Sequence, residues 1–201
     1  EQTSSRLRAL LASGHVLPPS RQKSVRPLAE AGISRLWSLQ LQSGGLSYWP
    51  GQQEPFTWGT VYAAETLLAA KEGGYQIDDR MTSGMTKFLE KRLNEPNSET
   101  AGTRAAICCC LSRLGKPPTG WMAVLNEQLD DLDMAARAHL ARAWWHAGRR
   151  DLALAAIPSE TIDMISKSSY GDRLGSAVSD QAALLMALIE MDADHEWVPV
   201  L

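Results

Sequence analysis

The sequence predicts an all-α fold, and three observations carry that expectation. Ala and Leu supply 52 of the 201 residues, while Val and Ile supply 14. The first pair lose little side-chain entropy in a helix; the second are the β-branched residues that strands favour. Apolar residues recur at helical rather than alternating spacing, as in Ile33, Leu36, Trp37 and Leu41. Gly, Pro, Asp and Ser clusters punctuate the chain at intervals of roughly 10 to 20 residues, as expected for short-looped helical hairpins.

Each element follows from this punctuation. A first helix is expected over residues 3–13, with Thr3 or Ser4 as N-cap and Gly14 as stop. Pro18 and Pro19 end the connection to a second helix over 20–41, and Pro27 inside it implies a break or a late start near Arg26. Gly44 and Gly45 supply that helix with a left-handed stop. A third helix spans 57–72, closed by Gly73 and Gly74, and Asp78 caps a fourth reaching residue 93. Residues 95–98 separate it from a fifth that ends at Gly115; Pro117 and Pro118 open a sixth running to 129. Asp131 or Asp133 opens a seventh ending at Gly148, and an eighth is short, over 150–156. A brief extended piece is expected at 162–165, before a final helix over 176–191. The Ala-rich faces of 135–145 and 176–189 suit inner helices packed on both sides. No strict repeat period and no linker occur, so residues 1–201 read as a single domain of consecutive antiparallel hairpins. A curled or closed array, an α/α toroid, fits better than a regular solenoid.

Composition removes several functions. A net charge of -3 and a pI near 5.8 leave no basic stripe for nucleic acid. The apolar run 182–189 is far short of the roughly 20 residues that span a bilayer. The chain opens Glu1-Gln2-Thr3, without an initiator Met or a signal peptide, and is expected to begin inside a longer protein or after a cut.

Catalytic chemistry finds little support. His139 and His146 share a helix face but lie two turns apart, about 10 Å, too far for one metal ion. No metal site and no cofactor are expected. Cys108, Cys109 and Cys110 point about 100° apart on a helix and read as small packing residues, with a vicinal disulfide as the alternative. No Gly-x-Ser-x-Gly elbow and no Gly-rich phosphate loop occur. Asp130, Asp131 and Asp133 suit a helix N-terminus, where the positive end of the dipole favours them, and Asp192-Ala193-Asp194 reads as polar surface. The loop Gly44-Gly45-Leu46-Ser47-Tyr48-Trp49-Pro50-Gly51 is different, because Leu46, Tyr48 and Trp49 stand where an ordinary turn is polar. It either plugs one end of the helical array or lines the mouth of a concave surface, with Trp58 close behind it.

Three stretches carry a family resemblance. Leu39-Gln40-Leu41-Gln42-Ser43-Gly44-Gly45-Leu46-Ser47-Tyr48-Trp49-Pro50-Gly51, followed by Trp58-Gly59-Thr60-Val61-Tyr62-Ala63-Ala64, resembles the thioester domain of bacterial alpha-2-macroglobulins. Gly175-Ser176-Ala177-Val178-Ser179-Asp180-Gln181-Ala182-Ala183-Leu184-Leu185 is similar to a later part of that domain, and Glu1-Gln2-Thr3-Ser4-Ser5-Arg6 to its start. The family motif is Cys-x-Glu-Gln, so Glu1 and Gln2 would be its last two residues and the Cys would lie two positions before Glu1.

The resemblance implies an α/α toroid, here an incomplete ring trimmed at both ends, and a chemistry that is covalent without turnover. In the family the Cys thiol and the Gln side-chain carbonyl form an internal thioester, which makes Gln2 the expected acyl donor. Thiolate is a good leaving group, so the bond must be kept from water until it is used. Tyr48 and Trp49 are the expected shield. The partners implied are attacking proteases, trapped after they cut a bait region, and the other domains of the same chain. The setting implied is the periplasm or cell envelope of a bacterium, as a defence against host proteases. Complement-like members direct transfer to hydroxyls with a downstream His; none lies between His15 and His139, which favours an amine-directed thioester or none. Without the Cys these 201 residues cannot form the bond, and some bacterial relatives trap without it. Two other readings stay open: an enzyme of the toroidal cyclase or prenyltransferase type, needing an Asp-rich motif or zinc ligands not visible here, and a scaffold that works without a thioester.

Overall fold

A computed structural model describes residues 1–13, 16–96, 98–157 and 177–201. Among these, nine α-helices and one 3-10 turn provide the regular structure; there is no strand, only two isolated bridges, Gln40 with Leu46 and Ser47 with Pro55. The all-α expectation holds. The chain divides into two compact units, residues 1–94 and 95–201.

The first unit contains α1 (Gln2–Ser13), α2 (Pro19–Trp37), α3 (Thr57–Glu72) and α4 (Asp79–Asn94). Neither Thr3 nor Ser4 caps α1. The helix starts earlier, with the Glu1 carbonyl accepting the Ser5 N–H at 2.9 Å, and Ser4 is buried. Leu7 is buried too, and a Cβ on Gly32 of α2 would sit 3.6 Å from it, so the small residue lets α1 and α2 approach. Pro27 does not break α2. The buried residues Val25, Ala29, Ile33 and Leu36 keep one inward stripe through it, and Pro27 itself is exposed. The carbonyl left without its helical amide therefore sits on the hydrated side, where water can satisfy it. α2 also ends at Trp37 rather than 41, because the next residues are drawn into the bridged loop described below. Asp78 opens α4 as expected: its side chain accepts the Arg80 N–H at 2.8 Å. Met81, Met85, Phe88, Leu89 and Leu93 form the buried face of α4 against α3.

The second unit contains α5 (Ala101–Arg113), α6 (Thr119–Glu127), the 3-10 turn Leu129–Asp131, α7 (Met134–His146), α8 (Arg150–Ala156) and α9 (Ala177–Met191). Thr100 caps α5 by accepting the Thr103 N–H at 3.2 Å. Of the two candidate caps for α7 it is Asp133 that serves, accepting the Ala136 N–H at 2.8 Å, while Asp131 lies in the 3-10 turn. α7 is buried almost all round, as its Ala-rich face implied. α9 is not. Leu184, Ala187 and Leu188 pack on Met134 and Ala138, with Ile157, Trp197 and Val198 around them. Val178, Met186 and Ile189 on its other side are exposed, so among the described residues α9 is packed on one side only. The extended piece expected at 162–165, the Gly14 stop and the start of the last helix at Ser176 lie outside the described residues. No described helix is long and apolar enough to cross a membrane.

Candidate functional site

The loop between α2 and α3 is built by hydrogen bonds that leave little freedom. Gly44 donates to the Leu41 carbonyl at 2.9 Å, and Leu41 donates to the Gly45 carbonyl at 2.8 Å, closing a tight reversal. Ser47 then reaches back to the Leu39 carbonyl through its N–H at 3.0 Å and its hydroxyl at 3.2 Å. Leu46 donates to Thr60 Oγ1 at 2.9 Å and accepts the Phe56 N–H at 2.8 Å, which ties the loop to the first turn of α3. Gln40 Nε2 donates to both the Gly44 carbonyl, at 3.0 Å, and the Met81 carbonyl of α4, at 2.9 Å.

The two glycines serve a different purpose from the one their spacing suggested. Gly44, at φ +91°, does not stop α2, which has already ended; it makes the reversal and lies against α4. A Cβ there would meet the Gly84 carbonyl oxygen at 2.1 Å, and one on Gly45 would meet Pro55 at 2.7 Å and Phe88 at 2.9 Å. Only a chain without side chains at these positions fits.

The plug reading of the loop holds for Leu46. Leu46 is 4% exposed and is the plug, whereas Tyr48 is 41% and Trp49 60% exposed. The Tyr48 ring meets Trp49 edge-on at 5.1 Å and Phe56 at 5.4 Å, so three aromatics form one cluster at the N-terminus of α3. The Trp49 N–H donates to Gln52 Oε1 at 3.0 Å, fixing the turn that ends in Gly51 at φ +85°.

Gln2 is the first residue of α1 and, like Glu1, is exposed. Two ties define how α1 lies on α3. Ser5 Oγ and Tyr62 Oη are 3.2 Å apart, and Arg8 Nη2 donates to Glu65 Oε2 at 3.2 Å. Both ties join residues 57 apart, so α1 and α3 run in the same direction with a constant offset. Residues three apart share a helix face. One step back from Ser5 is Gln2, and the same offset puts it level with Gly59, at the end of α3 that carries the aromatic cluster. Glu1-Gln2 and Tyr48-Trp49 thus share one end of α3.

A cleft of about 550 Å³ lies between the loop and α4, lined by Gln42, Ser43, Gly44, Asp79, Arg80, Ser83 and Lys87 among others. Its one carboxylate, Asp79, lies 3.7 Å from Lys71 Nζ. This lining is not the acid cluster that a cyclase reading needs. Asp192 and Asp194 are exposed, in keeping with polar surface.

In the second unit His146 and His139 do not act together. His146 Nε2 meets Glu190 Oε1 at 2.7 Å, and Arg142 Nε donates to Glu190 Oε2, also at 2.7 Å, so one carboxylate joins α7 to α9. Burial would raise the Glu190 carboxyl, but the His146 hydrogen bond and the Arg142 charge outweigh it and hold the group at about 2. Cys108, Cys109 and Cys110 are buried thiols, not a vicinal disulfide. Burial pushes the Cys108 thiol up to about 12, against the lowering effect of Arg104. An aromatic disulfide reagent should therefore label none of the three cysteines in the native chain and all three in urea. Rapid labelling before urea is added would contradict this packing.

Sequence reasoning missed Gln40, Phe56, Thr60 and Gly84, which build the loop, and Ser5, Arg8, Tyr62 and Glu65, which seat α1. Gln40 and Thr60 lie inside the resembling stretches, so a signal existed. Nothing local marks residues 57 apart as partners.

No protein-family model matches the chain. A curated relative, the alpha-2-macroglobulin homolog of Nostoc sp., is 27% identical over 127 residues, 58% of this chain and 7% of the relative. The native conformation of Escherichia coli alpha-2-macroglobulin superimposes over 94% of this chain and 13% of its own, with a TM-score of 0.78 at 22% identity. Salmonella alpha-2-macroglobulin reacted with methylamine matches over 94% of this chain and 14% of its own, with a TM-score of 0.78 at 21% identity. The resemblance to bacterial alpha-2-macroglobulins is thereby established, and the chain has the fold of the corresponding region of those proteins. It spans a small part of their length.

Proposed function

We propose that residues 1–201 form one domain of a bacterial alpha-2-macroglobulin-like protease inhibitor of the cell envelope, the domain that carries the acyl half of an internal thioester. Gln2 is the acyl donor, Glu1 the preceding motif residue, and the thiol belongs to a cysteine two positions before Glu1. Tyr48 and Trp49, with Phe56 behind them, shield the bond. An attacking amine, such as a protease lysine, forms a C–N bond to the Gln2 acyl carbon. The C–S bond breaks, and sulfur leaves as thiolate and takes up the proton the amine loses. The observation that supports this reading most is the joint position of Glu1-Gln2 and the aromatic loop at one end of α3, in a chain whose fold follows the bacterial proteins over 94% of its length.

The test is trapping by the full-length protein. With Gln2→Ala, protease should no longer appear in a covalent complex on a denaturing gel, while the cut inhibitor still changes shape. Undiminished trapping by Gln2→Ala would favour the scaffold reading.

A further inference from the structure

The geometry points to Arg8, Tyr62 and Glu65 as positioning residues for the Gln2 acyl group, an assignment that rests on the thioester reading above. Gln2 begins α1, and the first turn of a helix frays unless something holds it. α1 packs on α2 through the buried Leu7, and a ladder of side-chain ties sets its register on α3. Ser5 lies one turn in and meets Tyr62 Oη; Arg8 lies two turns in and meets Glu65.

The ladder is mechanically joined. The Arg8 guanidinium sits 4.7 Å from the centroid of the Tyr62 ring, so one residue of α3 contacts both rungs. The Glu65 side chain is 6% exposed and that of Arg8 27%, which makes the pair an anchored ion pair rather than a mobile surface one. Removing the Arg8 charge takes from the Glu65 carboxylate its tie to α1 and loosens the register of α1 on α3. Because Gln2 continues the same face, any slip of α1 along α3 moves the acyl carbon relative to the cysteine and to Tyr48 and Trp49. A thioester is lost as soon as water reaches its carbonyl, so its lifetime reports that position directly.

The experiment measures, in the full-length protein, the rate of spontaneous thiol release in plain buffer and of methylamine uptake on Gln2. Arg8→Met keeps the length and removes the charge; Tyr62→Phe keeps the ring beneath Arg8 and removes the hydroxyl tie to Ser5. Leu89→Ala, in the buried face of α4, serves as a control that destabilises the same unit at a residue outside the ladder. Both ladder variants should shorten the thioester lifetime about 10-fold or more, the scale that small misplacements of reacting groups produce. Leu89→Ala, at an equal or larger loss of stability, should leave it within about 2-fold of wild type. The inference is overturned if Arg8→Met and Tyr62→Phe match wild type, or if Leu89→Ala shortens the lifetime as much as they do. A wild-type protein that releases no thiol and takes up no methylamine overturns the thioester reading itself, and this assignment with it.

Discussion

Gly44→Ala should cost the first unit roughly 4 kcal/mol, the sum of a positive-φ penalty and a backbone collision that no rotamer relieves. Gly44 sits at φ +91°, and its added methyl would meet the Gly84 carbonyl at 2.1 Å. Gly51 supplies the comparison: its φ is +85°, but nothing lies within 4 Å of a Cβ there. Gly51→Ala therefore carries the conformational penalty alone, about 1 kcal/mol. Urea unfolding of the two variants separates the effects. Equal midpoints would show that the loop does not rest on α4 as described. Because Gln40, Gly44 and Gly45 also seat the aromatic loop, Gly44→Ala should release Tyr48 and Trp49 from their arrangement with Phe56.

Glu190→Ala should cost the second unit about 3 kcal/mol, the scale for removing one partner of a buried ion pair. Arg142, with its side chain 4% exposed, loses the carboxylate at 2.7 Å, and His146 loses its acceptor in the same step. The pH dependence has a definite sign. Glu190 is held at about 2 in the folded chain, against an ordinary value near 4.5. The unfolded chain thus binds the extra proton first as pH falls. The stabilisation is complete above about 4.5 and is lost between there and about 2. Urea midpoints at pH 7 and pH 3 test this: wild type should lose much more than Glu190→Gln over that interval. Parallel losses in the two proteins would contradict it.

The helices were legible because their signals are local. Gly73-Gly74, Asp78, Pro118 and Asp133 each mark a helix end through their own backbone or side chain, and each end lies close to its mark. Pro27 misled for the opposite reason: whether a proline breaks a helix depends on which way its carbonyl partner faces, and that is a tertiary fact. The sequence marks Gly44 as a left-handed residue but not its job, since the packing of the loop on Gly84 involves residues 40 apart. The Ala-rich face of α9 suits a doubly packed helix, yet Val178, Met186 and Ile189 are exposed. Composition reports that a face is apolar, not what covers it.

The candidate site was legible in part. Glu1-Gln2 and Tyr48-Trp49 stand out by residue type and by family resemblance. That they occupy one end of α3 follows from the paired ties of Ser5 and Arg8, which no sequence pattern announces. The same ties explain how the helix that begins with Gln2 keeps its register on α3.

The central claim is that Gln2 is the acyl partner of a cysteine two positions before Glu1. Labelled methylamine added to the uncut full-length protein addresses it most directly. The account predicts one methylamine per chain, located on Gln2 by peptide mapping, with release of one thiol in step. A full-length protein that carries the cysteine yet takes up no methylamine, or takes it up at another glutamine, would contradict the account.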